Sequence, residues 1–327
     1  MNPFQYVRPA KEKAAIALLA KDPKAMFIAG GTNLVDLMKR GVLAPEKLVD
    51  INKLPWSKIE KTGTGIRLGA LTRNSEVAED PLVKEKQPLL VQALLAGASA
   101  QLRNMATTGG NMMQRSRCYY YYDTAFPCNK RVPGSGCSAL SGYNRNHAIF
   151  GFSDQCIAVH PSDMCVALTA LEATVLVAGP RGERRIPFGD FHRLPGSQPD
   201  QDTVLAPQEL ILALDIPDGP FTKNVHYLKV RDRASFAFAL VSVAAALDID
   251  HNTIRHARLA MGGVAHKPWR LFEAEKALTG KPPTEAAFRQ AAEIAMRGAK
   301  AFEHNAYKLK MAPNAIVQAL KTAAGLV

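Results

Sequence analysis

Two short glycine turns and one cysteine-bearing segment hold the residue types best suited to chemistry in this sequence. The first turn is AGGTNL, Ala29 to Leu34. Its paired Gly30 and Gly31 let backbone approach a ligand closely, and Thr32 and Asn33 add hydrogen-bonding side chains. Free N–H groups where such a turn opens a helix suit an anionic group such as a phosphate. The second turn, TTGGN from Thr107 to Asn111, repeats that chemistry, so the pair would hold the two phosphates of one diphosphate from opposite sides. Neither matches the three-glycine dinucleotide fingerprint or the lysine-containing P-loop. A Gly-Gly pair also serves ordinary turns, and that reading stays open at each.

The five cysteines all fall between Cys118 and Cys165, as Cys118, Cys128, Cys137, Cys156 and Cys165, with nine, eight, eighteen and eight residues between successive members. These gaps exclude zinc-knuckle pairs, in which two cysteines sit a few residues apart. Pro127, Pro133, Gly134, Gly136 and Gly142 lie among them, so the segment reads as a long loop that something must order. Four thiolates around an iron–sulfur cluster would do so. Scattered free buried cysteines are the alternative. Tyr119 to Tyr122 read either as a packed cover for the loop or as rings with an electronic role. His147 and His160 are possible substitute ligands or ordinary structural histidines. Arg115, Arg117, Lys130, Arg131 and Arg145 would offset the charge of a thiolate-bound cluster, or form a solvated basic face.

The elements that position these residues alternate. Lys11 to Ala20 is a short helix, and the apolar MFIAG run is a strand feeding the first glycine turn and a helix ended by Gly41, with Thr32 or Asn33 as its cap. Lys47 to Ile51 and Ile66 to Leu71 are strands, and a helix starts with Pro88 in its first turn. Thr174 to Gly179, ERRIPF and Glu209 to Pro217 read as hairpin-connected strands. After a linker at Asp218 to Pro220, the strand-like runs NVHYLKV, FALVSVAAALDI and ARLAMGGVA precede helices over Glu285 to Phe302 and Asn314 to Ala324. The predicted class is α+β, ending in a domain with a three-stranded sheet and helices.

The chain of 327 residues is 47% apolar, enough for two or three packed domains, and its odd, clustered cysteines exclude a disulfide-stapled scaffold. Its N-terminus lacks a signal peptide's apolar core and cleavage site. The longest apolar run, Ala234 to Leu247, falls short of the ~20 residues a membrane helix needs and reads as a buried strand or helix. The net charge of +12 is interspersed with acids and forms no block of like charges. It argues weakly for an anionic partner, and a basic nucleic-acid-binding iron–sulfur protein is the reading of another class.

FIAGGTNLVDLM, IRLGALT, AGASAQLRNMATTGGN, HPSDMCVAL, YLKVRDRASFAFALVSVAAAL and LAMGGVAHKPWR occur in the order of a known family. Over nearly its whole length the chain resembles the FAD-binding medium subunit of molybdenum hydroxylases, which include xanthine dehydrogenases, carbon monoxide dehydrogenases and aldehyde oxidoreductases. The run QRSRCYYYYDTAFPCNKRVPGSGCSAL points within it to the bacterial periplasmic aldehyde oxidoreductases. The resemblance implies an FAD-binding domain over residues 1–218, of the type shared with vanillyl-alcohol-oxidase-like flavoproteins and split near 55–60, and a C-terminal domain over 222–327. It places the diphosphate at Ala29, Gly30, Gly31, Thr32, Asn33 and Leu34, with a second flavin loop at Thr108, Gly109, Gly110 and Asn111. Asp163 is implied at the ribose region of the cofactor and Lys229 near the isoalloxazine ring.

Ordinary members of that family pass from the Gly-Gly-Asn loop to the Ser-Asp position in far fewer residues. The implied insertion, 115–158, is one that in benzoyl-CoA-type reductases and periplasmic aldehyde enzymes carries a [4Fe-4S] cluster. The implied ligands are Cys118, Cys128, Cys137 and Cys156, with Cys165 in the core. The resulting expectation is an electron-transfer subunit, with no catalytic acid or base of its own, of a molybdenum-dependent aldehyde oxidoreductase. Its partners would be a molybdenum-cofactor large subunit, a [2Fe-2S] small subunit and an external electron acceptor, with no nucleic acid and no membrane span. Xanthine dehydrogenase, carbon monoxide dehydrogenase and aryl-CoA reductase subunits are the alternatives. Export to the periplasm on a partner's signal is expected, with the cytoplasm as the alternative.

Overall fold

The computed structural model describes all residues, 1–327. β1 (Gln5–Val7), β2 (Ala25–Ile28) and β3 (Lys47–Asp50) form a small parallel sheet in the order β1-β3-β2. A helix over Glu12–Lys21 crosses between β1 and β2 and buries Ala15 and Ile16. β2 stops where the first glycine pair begins. Gly31 takes φ +70°, a left-handed conformation that glycine adopts without strain, and the Leu34–Lys39 helix follows.

β4 (Ile59–Thr62), β5 (Gly65–Gly69), β6 (Thr174–Gly179), β7 (Gly182–Pro187) and β8 (Leu210–Pro217) form an antiparallel sheet in the order β4-β5-β8-β6-β7. β6 and β7 make the expected hairpin, closed at Gly179 and Gly182. Between β5 and β6 the chain supplies two apolar helices, Pro88–Ala96, which buries Leu89, Leu90, Val91, Ala93 and Leu94 and exposes Leu95, and Asp163–Ala170, which is buried throughout. Leu89, Leu90, Val166, Val177 and Leu214 join them to this sheet, and Ala244 extends the same core into the C-terminal sheet. The helices thus lie between two sheets, which is why Asp163–Ala170 in particular is apolar almost all round.

β9 (Val225–Val230), β10 (Val241–Asp250), β11 (Thr253–Gly262) and β12 (Trp269–Arg270) make an antiparallel sheet in the order β12-β11-β10-β9. This corrects the expected three strands. β12 has two residues, too few for a periodic signal, and Arg270 anchors it by pairing with Glu275 and donating to the Thr169 carbonyl at 2.7 Å. The apolar run is a strand buried on both faces only from Val241 to Leu247; its first half, Ala234 to Leu240, is irregular and exposes Phe236 and Phe238, which corrects the expected single buried element. Ala244 and Ala246 face the central helices, while Val243, Ala245 and Leu247 face the C-terminal helices. The helix expected to reach Phe302 ends at Ala295, before Gly298 at φ +81°. The last helix starts six residues earlier than expected, at Lys308, and runs through Pro313 to Ala323. Ala312, Ile316, Ala319 and Leu320 on its buried face outweigh the proline. No helix is long and apolar enough to cross a membrane.

The segment 115–158 has one short helix, Tyr119–Tyr122, and otherwise isolated bridges such as Cys128 to Cys137. Its distal part is tied to the C-terminal half of the chain: Ile149 and Phe150 donate to the Val264 carbonyl and enter the C-terminal core. Asn305, wholly buried, donates to the carbonyls of His147 and Ala148 at 3.2 and 3.1 Å.

Burial holds His192 and His266 neutral, each pulled down to about 4, and His160 lies well below its usual value for the same reason. An unfolded histidine protonates near pH 6.5. Between about pH 6.5 and 4 the unfolded chain therefore binds more protons than the folded one, and stability falls as the pH falls. Denaturant titrations across that window should show the loss, and His192→Gln should reduce its slope by up to about 1.4 kcal/mol per pH unit.

Candidate functional site

The two glycine turns meet. A Cβ at Gly30 would lie 1.9 Å from the Met105 carbonyl oxygen, in the segment leading to the second turn, so the two backbones are pressed together there. The N–H groups of Gly30 to Leu34 find no acceptor within the protein. They face a cavity of about 900 Å³, lined by the whole run Ala29 to Leu34 and by Thr107, Gly109, Gly110, Asn111, Asp163 and Lys229. Asn33 is not the side-chain cap expected of it. Its Oδ1 accepts from the Arg115 N–H at 2.9 Å, and its Nδ2 is buried without a partner. Thr108 alone among the expected residues is turned away from the cavity: its N–H and Oγ1 both donate to the Thr72 carbonyl, at 2.9 and 3.0 Å. Thr107 takes the wall position instead, and its hydroxyl caps the Gly110 N–H at 3.2 Å.

Asp163 and Lys229, expected at separate regions of a bound cofactor, form one ion pair at 2.7 Å, so both serve the same part of the cavity. The Asp163 carboxyl is pushed up by burial and pulled back by Lys229. Tyr227 donates to its other oxygen at 2.8 Å, and Lys229 also donates to the Ala96 carbonyl at 3.1 Å. Ser162 ties this pair to the second turn, donating to Asn111 Oδ1 at 2.6 Å. Arg103, Arg115, Arg117 and Arg233 also reach the cavity wall, against only Asp36 and Glu209 as further acids. A dianionic diphosphate suits this balance of charge, and the free N–H groups supply hydrogen bonds where side chains would not fit. Arg103 and Arg233 lie within the quoted runs AGASAQLRNMATTGGN and YLKVRDRASFAFALVSVAAAL, but sequence reasoning gave neither a role.

A second, smaller cavity is lined by Cys118, Cys128, Cys137 and Cys156 together with Tyr120, Tyr121 and Lys130. Burial pushes the Cys118 thiol up to about 12 and Cys156 up to about 11, so a metal entering here must displace their protons. His147 Nε2 lies 3.1 Å from Cys118 Sγ. His160 and Cys165 are elsewhere: they meet His192 in the core, where the Ser162 N–H donates to His160 Nδ1 and His192 Nε2 bonds the Met112 carbonyl. Tyr121 is buried against Leu37, Val42 and Cys128, so part of the tyrosine run packs as a cover.

The sequence pattern of the FAD binding domain in molybdopterin dehydrogenase matches residues 2–219, and that of the CO dehydrogenase flavoprotein C-terminal domain matches 226–323. The chain belongs to this family of FAD-binding subunits. It is 50% identical over 281 residues to the aldehyde oxidoreductase FAD-binding subunit PaoB of Escherichia coli (strain K12), covering 85% of this chain and 87% of that one. It is 32% identical over 279 residues to the glyceraldehyde dehydrogenase medium chain of Sulfolobus acidocaldarius, covering 85% and 82%. Among solved structures, carbon monoxide dehydrogenase from Hydrogenophaga pseudoflava superposes with a TM-score of 0.78 at 26% identity, covering 99% of this chain and 98% of that one. The free N–H groups and cationic wall of the 900 Å³ cavity fit the cofactor that such a domain binds. Gly30→Ala should yield a folded protein that retains far less flavin than wild type, read from the visible absorbance of the purified chain, because its methyl group forces the two turns apart.

Proposed function

We propose that this chain is the FAD- and [4Fe-4S]-containing electron-transfer subunit of a molybdenum-dependent aldehyde oxidoreductase. It would work beside a molybdenum-cofactor large subunit and a [2Fe-2S] small subunit and serve an external electron acceptor. The observation that carries this reading is the gathering of Cys118, Cys128, Cys137 and Cys156 around one buried cavity separate from the FAD site, in a chain half identical to an aldehyde oxidoreductase FAD-binding subunit. Bound FAD supplies a carrier able to accept electrons singly and release them singly or in pairs, and the protein binds, orients and tunes it.

The chain's own residues divide that work. Gly30 to Leu34 present N–H groups to the diphosphate, and Gly109, Gly110 and Asn111 close on it from the second turn, with Thr108 anchoring that turn from behind. Lys229, paired with Asp163 and donating to the Ala96 carbonyl, keeps a third N–H in the wall with which it would donate to the cofactor. The four cysteines would hold the cluster as thiolates, with His147 beside Cys118 available to donate to its sulfur. We place the complex in the periplasm, exported with a partner that bears the signal; fractionation of cells making the complex should recover it with periplasmic markers, and recovery with cytoplasmic markers would reverse that placement.

The purified protein should show flavin bands above a broad iron–sulfur shoulder and carry about four irons per chain. Serine at Cys118, Cys128, Cys137 or Cys156 singly should lower the iron, whereas Cys165→Ser should leave it at the wild-type level. Iron loss in the last variant, or a wild-type protein without iron, would sink the cluster reading and leave the FAD site standing.

A further inference from the structure

A buried charged group reaches both cavities. Lys130 and Arg115 both pair with the single carboxylate of Asp202. Lys130, whose side chain is only 1% exposed, also donates to the Pro199 carbonyl at 2.7 Å, and Arg115 donates to the Asp200 carbonyl at 3.2 Å. Lys130 lines the four-cysteine cavity and Arg115 lines the FAD cavity. Arg115 also lies over the ring of Tyr121, 5.5 Å from its centroid, and Tyr121 faces the cysteines. Burial alone would raise the Asp202 carboxyl, but Lys130 and Arg115 hold it well below the usual carboxylate range. His266, with Nε2 3.6 Å from Asp202, is kept neutral by burial and adds no charge.

Two cations on one carboxylate leave one net positive charge in a wall that solvent screens weakly. One cation would have satisfied Asp202, and an uncompensated buried charge is costly. An anionic group in the adjoining cavity removes that cost. A thiolate-bound cluster is such a group, and it becomes more negative on accepting an electron. Its potential responds to the charge around it.

We propose that Lys130 sets the reduction potential of the cluster held by Cys118, Cys128, Cys137 and Cys156, its ammonium raising that potential by favouring the reduced state. The inference rests on the cluster reading of the four cysteines. The test is a redox titration of the cluster followed by electron paramagnetic resonance in the complete enzyme complex, with iron per chain measured on every sample. Lys130→Met should keep the wild-type iron and move the potential negative, Lys130→Arg should return it close to wild type, and Asp202→Asn should move it positive. An unshifted potential at equal iron in Lys130→Met overturns the proposal. So do shifts of the same sign in Lys130→Met and Asp202→Asn, or iron loss on removing Lys130, which would mark a structural role. A wild-type complex without iron overturns the cluster reading itself, a result distinct from a cluster present at an unshifted potential.

Discussion

The large cavity between the glycine turns depends on two stretches of backbone approaching more closely than side chains would allow. Gly30 sits against the Met105 carbonyl, and that contact sets the first turn against the segment leading into the second. Each turn is anchored from behind by backbone pairing. The first follows β2, where the Ile51 N–H reaches the Ile28 carbonyl and Asn52 holds the Ala29 carbonyl at 3.0 Å. The second is pinned by Thr108 to Thr72 and by the Gly109 N–H to the Ala70 carbonyl at 2.8 Å. With both turns fixed, the N–H groups of Gly30 to Leu34 are oriented before any ligand arrives, and little ordering cost falls on binding.

The cysteine segment solves a different problem, since it has almost no regular structure and a small apolar core of its own. Polar side chains take over the ordering. Asn129 joins the Gly136 N–H to the Gln155 carbonyl, and Asn144 receives the His304 N–H. Lys308 donates to the His147 and Gly263 carbonyls from the start of the last helix. The end of the chain therefore positions His147, and through it the Cys118 sulfur, across more than a hundred and fifty residues of sequence. The four-cysteine cavity thus draws on both halves of the chain, although all four cysteines lie in the first.

Charge is distributed by the same logic. The excess of basic residues is interspersed with acids along the sequence. Several bases are instead spent indoors: Lys229 on Asp163, Lys130 and Arg115 on Asp202, Arg270 on Glu275, Lys308 on two carbonyls. Others rim the large cavity, whose wall carries more cations than anions.

The sequence by itself determined the two turns, the strands around them, the linker near residue 218 and the separation of four cysteines from Cys165, because glycine pairs, apolar runs and a polar, turn-rich cysteine segment are local properties. The family was readable for the same reason, its motifs being contiguous. Tertiary structure alone decided that Thr107 and not Thr108 faces the cavity, that Asp163 and Lys229 form one pair, and that Asp202 gathers Lys130 and Arg115, one from each cavity wall. It also decided β12 and the early start of the last helix, where packing overrode a two-residue strand's lack of pattern and a proline's usual place at a helix start. Each of these is a meeting of residues far apart in the chain. No local propensity encodes which buried cation finds which carboxylate; that is settled only when the surrounding core closes and removes the water that would otherwise have satisfied them both.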